Sequence, residues 1–289
     1  MAEIDAKVVM KLRAMTNAGM MECKKALTEA NGDMDGACEL LRKWGAGRAE
    51  AKASNEMKEG LIAGKVSADG KTGVLVRLGC QTDFVARNDS FQALLKDLVE
   101  LAFANDIKGP ACLNKLVAPS FNKTVEVVLN EFSGQTLKEN IQVTGAARFV
   151  SADGVVGLYV HHNSKVGGLV QIDGSTAEAA AKVASEVAMH VTAGMPFTPV
   201  AVNRDGVPAD QLAKEREIAA EGLTGKPANI VEKIVAGKIE KFFEDRVLVE
   251  QPFVKDDKKR IRELVADAGK IAGATLTVKA FARYKVGEV

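Results

Sequence analysis

Val66-Ser67-Ala68-Asp69-Gly70 and Val150-Ser151-Ala152-Asp153-Gly154 are the same pentapeptide, met twice in a chain of 289 residues. Each copy is followed by a further glycine, Gly73 or Gly157, and then by a β-rich run, Val74-Leu75-Val76 or Leu158-Tyr159-Val160. Asp-Gly between alternating apolar segments is a hairpin signal, because glycine accepts the positive φ of the tight turns that match strand twist. A helix is expected after each hairpin. The first, about Asn88 to Asn105, is striped by Phe91, Leu94, Leu95, Leu98 and Ala102. The second begins at Ser175, where Ser175 and Glu178 have capping-box spacing, and ends at Gly194. The repeat therefore predicts an α+β fold whose core is a duplicated hairpin-plus-helix. Its N-subdomain covers 59–140, and its C-subdomain covers 141–198 with 247–263.

Outward toward the N-terminus, residues 1–46 read as three short helices. Asp5 can cap the first, in which Val8, Val9 and Leu12 recur at helical spacing, and Asn17-Ala18-Gly19 breaks it. The second runs from about Glu22 to Ala30 and stops at Asn31-Gly32, a pair suited to left-handed backbone. Asp33 caps the third, with Ala37, Leu40, Leu41 and Trp44 facing inward, which makes a small bundle. Residues 47–58, rich in Ala, Lys and Glu, read as a helical or flexible linker.

Toward the C-terminus, residues 199–246 read as an inserted antiparallel helical hairpin. Its first helix starts near Pro208 and ends before Gly222. Its second, about Ala228 to Asp245, carries Ile230, Ile234, Val235, Ile239, Phe242 and Phe243. That stripe needs a cover, either the core or a second copy in a homodimer. The chain then returns through Val247–Val254, a helix at about Asp256–Ala268 and a strand at Thr275–Tyr284. Residues 264–289 read as a C-terminal module.

Composition excludes several classes. Lys plus Arg is 39 and Asp plus Glu is 38, a formal charge of +1, so no basic surface for direct nucleic-acid binding is expected. Aromatic residues are 5% of the chain, too few for base-stacking platforms. The start, Met1-Ala2-Glu3-Ile4-Asp5, lacks the regions of a signal peptide. Val187 to Asn203 is free of charge but broken by Gly194, Pro196 and Pro199, so no membrane span is expected. Cys23, Cys38, Cys80 and Cys112 form no CxxC pair; reduced thiols and a cytoplasmic location follow.

No catalytic constellation is legible in the sequence. His161 and His162, adjacent at a strand end, are expected on opposite faces, poorly placed to share a metal. His190 reads as a core or subunit-contact histidine. Cys80 with His161 would be a nucleophile pair, but nothing around either activates a thiolate. No GxxxxGK[ST] loop or GxGxxG turn is present. Neither cofactor nor metal is expected, and the chain does not read as an enzyme. One local feature stands out: Phe84 lies in the connection between a strand ending near Gly79 and the helix beginning near Asn88. Either it folds back on the core, or it protrudes beside an acidic neighbour as an interface anchor.

Thr82-Asp83-Phe84-Val85 resembles the TDFV signature of the bacterial elongation factor Ts family. The stretch from Ala18 through Met20-Met21-Glu22-Cys23-Lys24-Lys25 to Asp33 is similar to that family's N-terminal signature, with Glu22 where Asp is more usual. Ala188-Met189-His190-Val191, Gly225-Lys226-Pro227, Gln251-Pro252-Phe253-Val254 and Val286-Gly287-Glu288 follow in the family's order. The resemblance implies a ubiquitin-associated-like (UBA-like) three-helix domain ahead of the duplicated core. It implies a guanine-nucleotide exchange factor that promotes GDP release from elongation factor Tu by intruding near that GTPase's magnesium and phosphate site. Asp83 and Phe84, with Thr82 and Val85, are then the wedge. Met20, Met21 and Lys24 contact the GTPase's nucleotide domain, and His161 matches an interface histidine, with His162 one residue away as a second candidate. The inserted hairpin resembles the family's dimerisation region. Relatives often continue past Val-Gly-Glu, so no GTPase contact is assigned to residues 286–289. Two other readings stand beside this one: a protein-binding scaffold without exchange activity that uses the UBA-like domain, and a hydrolase built on Cys80 and His161.

Overall fold

Side-chain caps set the first three helices. The computed structural model describes residues 4–16, 18–223 and 227–288. Asp5 accepts the Lys7 N–H at 2.9 Å, and α1 (Ala6–Thr16) follows. Helix α2 (Met20–Glu29) ends where Asn31 and Gly32 take φ of 51° and 85°, the left-handed backbone expected of this pair. Asp33 then accepts from Asp35 and Gly36 N–H to start α3 (Met34–Lys52). Leu12, Leu27 and Leu41 meet in the core of these helices, with Cys23, Ala26 and Ala37. Helix α3 runs six residues past the expected domain limit at 46, so the start of the expected linker is helical.

Next come β1 (Glu59–Val66), β2 (Thr72–Cys80), the one-turn α4 (Asp83–Ala86) and α5 (Asp89–Ala104). Helix α5 buries Phe91, Leu94, Leu95, Leu98 and Ala102, the stripe its periodicity foretold. Residues 105–141, unread in the sequence, form α6 (Pro110–Lys115), β3 (Val117–Ala118), β4 (Lys123–Thr124), α7 (Val125–Glu131) and a wide π-type turn at Phe132–Thr136. Then follow β5 (Gln142–Val150), β6 (Val155–Val160), β7 (Val166–Asp173) and α8 (Glu178–Ala193). The hairpin insertion holds α9 (Ala209–Ala220) and α10 (Ala228–Arg246). The chain closes with β8 (Pro252–Phe253), β9 (Asp256–Arg260), α11 (Ile261–Ala272) and β10 (Thr277–Lys285).

Strand pairing corrects the expected duplication. The two main sheets have the orders β1-β2-β5 and β10-β7-β6. The first pentapeptide does turn β1 into its partner β2. The second, between β5 and β6, joins strands of different sheets, and β6 instead pairs antiparallel with β7, Leu158 opposite Leu169. The two pentapeptides touch each other: Ser151 N–H donates to Lys71 C=O at 2.9 Å, and Val156 N–H donates to Gly70 C=O at 2.7 Å. The Ser175–Glu178 capping box is also absent. Ser175 Oγ accepts from Ala177 N–H at 3.1 Å, and α8 begins three residues after Ser175, ending as expected at left-handed Gly194. Asp256–Arg260, expected as the start of a helix, is a strand because it pairs with β8. Helix α11 crosses the expected limit at 263/264, and β10 completes the sheet of β6 and β7. Residues 264–289 are therefore not a separate module.

The chain divides into two compact units. One comprises Met1–Ala63, Val76–Ala147 and Lys285–Val289; the other comprises Gly64–Leu75 and Arg148–Tyr284. In the first, α3 seats on the π-type turn at close range. A Cβ built on Gly134 would lie 2.0 Å from the Gly45 carbonyl oxygen, so only glycine permits this approach. Gln135 donates to Leu41 C=O at 2.9 Å, and Arg48 Nε donates to Gly134 C=O at 2.8 Å. Buried Arg77 donates to the carbonyls of Lys285 (2.7 Å) and Glu288 (2.6 Å), which explains a turn at Gly287 with φ of 80°.

In the second unit, α8 packs on β6 and β7 and α11 packs against α8, in a core that includes Val170, Ile172, Val183, Val187 and Ile261. His190 is buried there, a core histidine. Gln251, itself fully buried, donates to Phe197 and Asp245 carbonyls, both at 2.7 Å, and faces His190 Nε2 at 3.0 Å. Val254 N–H donates to His190 Nδ1, so Nε2 carries the ring proton toward Gln251 Oε1. Burial holds this imidazole's pKa below its ordinary value, although the Gln251 bond opposes it. Leu212, Phe242 and Phe243 pack against Ala201, Val207 and Val247 at the base of the α9–α10 pair. Farther out, Ile218 and Ile230 are exposed, so this chain covers the expected stripe only in part.

Candidate functional site

Two successive caps shape the connection after β2. Thr82 Oγ1 accepts from Val85 N–H at 3.4 Å and starts α4; Asn88 Oδ1 accepts from Ser90 N–H at 2.9 Å and starts α5. Val85 and Ala86 face inward and are buried, which forces Phe84 outward, where it is 82% exposed. Phe84 protrudes and does not fold back on the core. A buried phenylalanine stabilises a fold by about 1.5–3 kcal/mol, a contribution this chain leaves mostly unused at Phe84. Asp83 Oδ2 pairs with Arg87 at 3.0 Å, an exposed ion pair that contributes little to stability.

The loop that follows the π-type turn holds this connection. Glu139 Oε2 accepts the N–H groups of Gln81 (3.1 Å) and Thr82 (3.0 Å), and the Thr82 hydroxyl donates to Glu139 Oε1 at 2.6 Å. Cys80, the imagined nucleophile, is buried, and its thiol donates to the Thr82 carbonyl.

Met20, Met21 and Lys24 sit in the first two turns of α2. Met20 is 41% exposed, Met21 is 74% exposed, and Lys24 is exposed, while Cys23, Ala26 and Leu27 face the helical core. Exposed methionines make an adaptable apolar surface. Between them and the core, Glu22 accepts from Gly19 N–H and pairs with Arg48 (3.2 Å) and Lys138 (3.0 Å). Burial raises the Glu22 pKa, but the Lys138 hydrogen bond and the two cations outweigh it and leave it lowered.

His161 belongs to the second unit, in the turn between β6 and β7. His161 and His162 do not diverge as strand alternation predicts. Both lie beyond the last residue of β6, and their rings pack with centroids 4.1 Å apart. Asn163 Oδ1 accepts from Lys165 N–H and sits 2.8 Å from His161 Nδ1, which makes Nδ1 a donor. Thr82–Val85 and Met20, Met21 and Lys24 thus fall in one unit and His161 in the other. Sequence reading missed Lys138, Glu139 and Asn140. Their only signal was a polar run between the apolar residues Leu137 and Ile141. Among the described residues, no group of three or more His, Cys, Asp or Glu side chains could hold a metal ion, and no helix is long and apolar enough to cross a membrane.

The family model described as Elongation factor TS matches residues 81–288, beginning one residue before Thr82. The chain belongs to the elongation factor Ts family. It is 40% identical to the elongation factor Ts of Chloroherpeton thalassium over 295 residues, covering the whole of both chains. It is 40% identical to that of Chlorobium limicola, again end to end. It is 40% identical to that of Trichlorobacter lovleyi over 99% of this chain and 93% of the relative. The elongation factor Ts blocks read in the sequence have structural settings: Ala188–Val191 meets Gln251–Val254 through the His190–Gln251 bond, and Val286–Glu288 is the turn held by Arg77. Of Gly225-Lys226-Pro227, the first two residues lie outside the described residues, as does Asn17 of the first helix break.

Proposed function

We propose that this chain is a guanine-nucleotide exchange factor that promotes GDP release from elongation factor Tu. The observation that carries this reading is Phe84, exposed to 82% on a turn capped at its start and braced by Glu139. An apolar ring held rigidly in water has little ordering entropy left to lose when a partner buries it. Asp83 and Phe84 intrude beside the GTPase's magnesium and phosphate site, with Thr82 and Val85 fixing their direction. Met20, Met21 and Lys24 engage the nucleotide domain, and His161 offers Nε2 to the same partner. The three N-terminal helices serve as a UBA-like docking domain, and the α9–α10 hairpin serves as the dimerisation region. Work of this kind breaks no covalent bond and takes place in the cytoplasm without gripping nucleic acid.

Coupling is reciprocal: a factor that weakens GDP binding is itself bound more weakly by the GDP-loaded GTPase. The test is release of a fluorescent GDP analogue from elongation factor Tu. Catalytic amounts of the chain should accelerate it, and no acceleration by folded protein refutes the reading. Binding that GDP leaves unchanged would identify a scaffold instead.

A further inference from the structure

We infer that Glu139 is the positioning residue that aims Phe84, an inference that rests on the exchange reading above. Three consecutive residues, Lys138-Glu139-Asn140, reach three separate segments of the first unit. Lys138 Nζ holds Glu22 at the start of the helix that carries Met20 and Met21. Asn140, 3% exposed, donates its amide to the carbonyls of Ala53 (3.1 Å) and Asn55 (2.8 Å), just past α3. Its own N–H donates to Gln81 Oε1 at 2.9 Å. Glu139 takes both amides and the hydroxyl at Gln81-Thr82. Lys138 adopts φ of 59°, a left-handed conformation costly for a residue with a Cβ, and the surrounding bonds hold it there.

Magnitudes single out the central residue. The Lys138–Glu22 pair is about half exposed on the lysine side, the kind of pair worth little on its own. Glu139 makes three charge-assisted bonds, roughly twice as strong as neutral ones. They act on Gln81 and on Thr82, the cap of a four-residue helical turn, where a small rotation is transmitted directly to the ring two residues past the cap. A misplacement of about 1 Å in such a constellation can cost on the order of 100-fold in rate. The Thr82 cap alone orients the turn within itself; Glu139 orients it against the rest of the unit.

The test uses the full chain and GDP release from elongation factor Tu, with the factor in excess so that slow rates stay readable. Glu139→Ala should slow exchange by about 10–100-fold. Glu139→Gln should recover to within about 3-fold of the parent, because an amide oxygen can accept both N–H groups while its NH2 donates to Thr82 Oγ1. In the Phe84→Ala background, Glu139→Ala should cost less than about 2-fold more, since the residue it aims is gone. Amide hydrogen exchange should quicken at Gln81 and Thr82 while α5 keeps its protection. Parent-like exchange by Glu139→Ala overturns the inference, as does a multiplicative loss in the double variant or equal loss of protection along α5. A parent chain that fails to release GDP overturns the exchange reading itself, a result distinct from any of these.

Discussion

Replacing Phe84 by alanine separates what the ring does for the fold from what it does for a partner. A phenylalanine side chain can bury about 200 Å². With 82% of the residue exposed, the fold removes only about 35 Å² of that from water, worth about 0.9 kcal/mol. Alanine's better helix propensity, about 0.5 kcal/mol, offsets roughly half. Phe84→Ala should therefore shift the thermal midpoint by less than about 2 °C. The remaining area, about 165 Å², sets the ceiling on what a partner can gain by covering the ring, about 4 kcal/mol. Allowing for incomplete burial, kcat/KM for GDP release should fall by about 100–1,000-fold. Calorimetry and the fluorescent GDP assay on one preparation decide the matter. Exchange within 3-fold of the parent refutes the wedge, and a midpoint lowered by more than about 5 °C shows that the ring supports the fold after all.

Three further outcomes follow from geometry elsewhere. Gly134→Ala would place a Cβ 2.0 Å from the Gly45 carbonyl, and should cost about 1–3 kcal/mol by denaturant unfolding while raising amide exchange along α3 first. Gln251→Ala would strip the Phe197 and Asp245 carbonyls and His190 of a buried partner, so a loss of at least about 2 kcal/mol is expected. The pH dependence has a definite sign. His190 is held below its ordinary pKa of 6.5, so the unfolded chain takes up the proton first as pH falls. Stability should drop from pH 6.5 downward, with a slope from this group of at most about 1.4 kcal/mol per unit. His190→Gln should flatten the urea midpoint between pH 6.5 and 5.5; an unchanged slope refutes that assignment.

Local chemistry was legible where a residue answers only to its neighbours in sequence. Asp5, Asp33 and Asn31-Gly32 do what their side chains and backbone preferences dictate, and the α5 stripe faces the core at the expected spacing. Pairing partners were not legible. Asp69-Gly70 and Asp153-Gly154 are locally equivalent, yet only the first turns a strand back onto its neighbour, because partner choice is settled by long-range packing. Asp256–Arg260 has the charge pattern of a helix face and becomes a strand through pairing with Pro252 and Phe253, tertiary context overriding propensity. At the candidate site, the motif marked Phe84, but its exposure depended on the core taking both Val85 and Ala86. Glu139 lies 57 residues from Thr82, and no periodicity connects them.

The bonds from Arg77 to Lys285 and Glu288 span 208 and 211 residues, and they set a schedule. A ribosome adding roughly 5–20 residues per second needs on the order of 10–40 s to cover that distance. Throughout that interval the guanidinium of the first unit lacks two of its carbonyl acceptors, although Thr144 arrives early to share the load. The first unit is thus completed by residues synthesised long after Arg77. Refolding in vitro, where Arg77 and its distant acceptors are present together from the start, should close it by a different order of events than synthesis does.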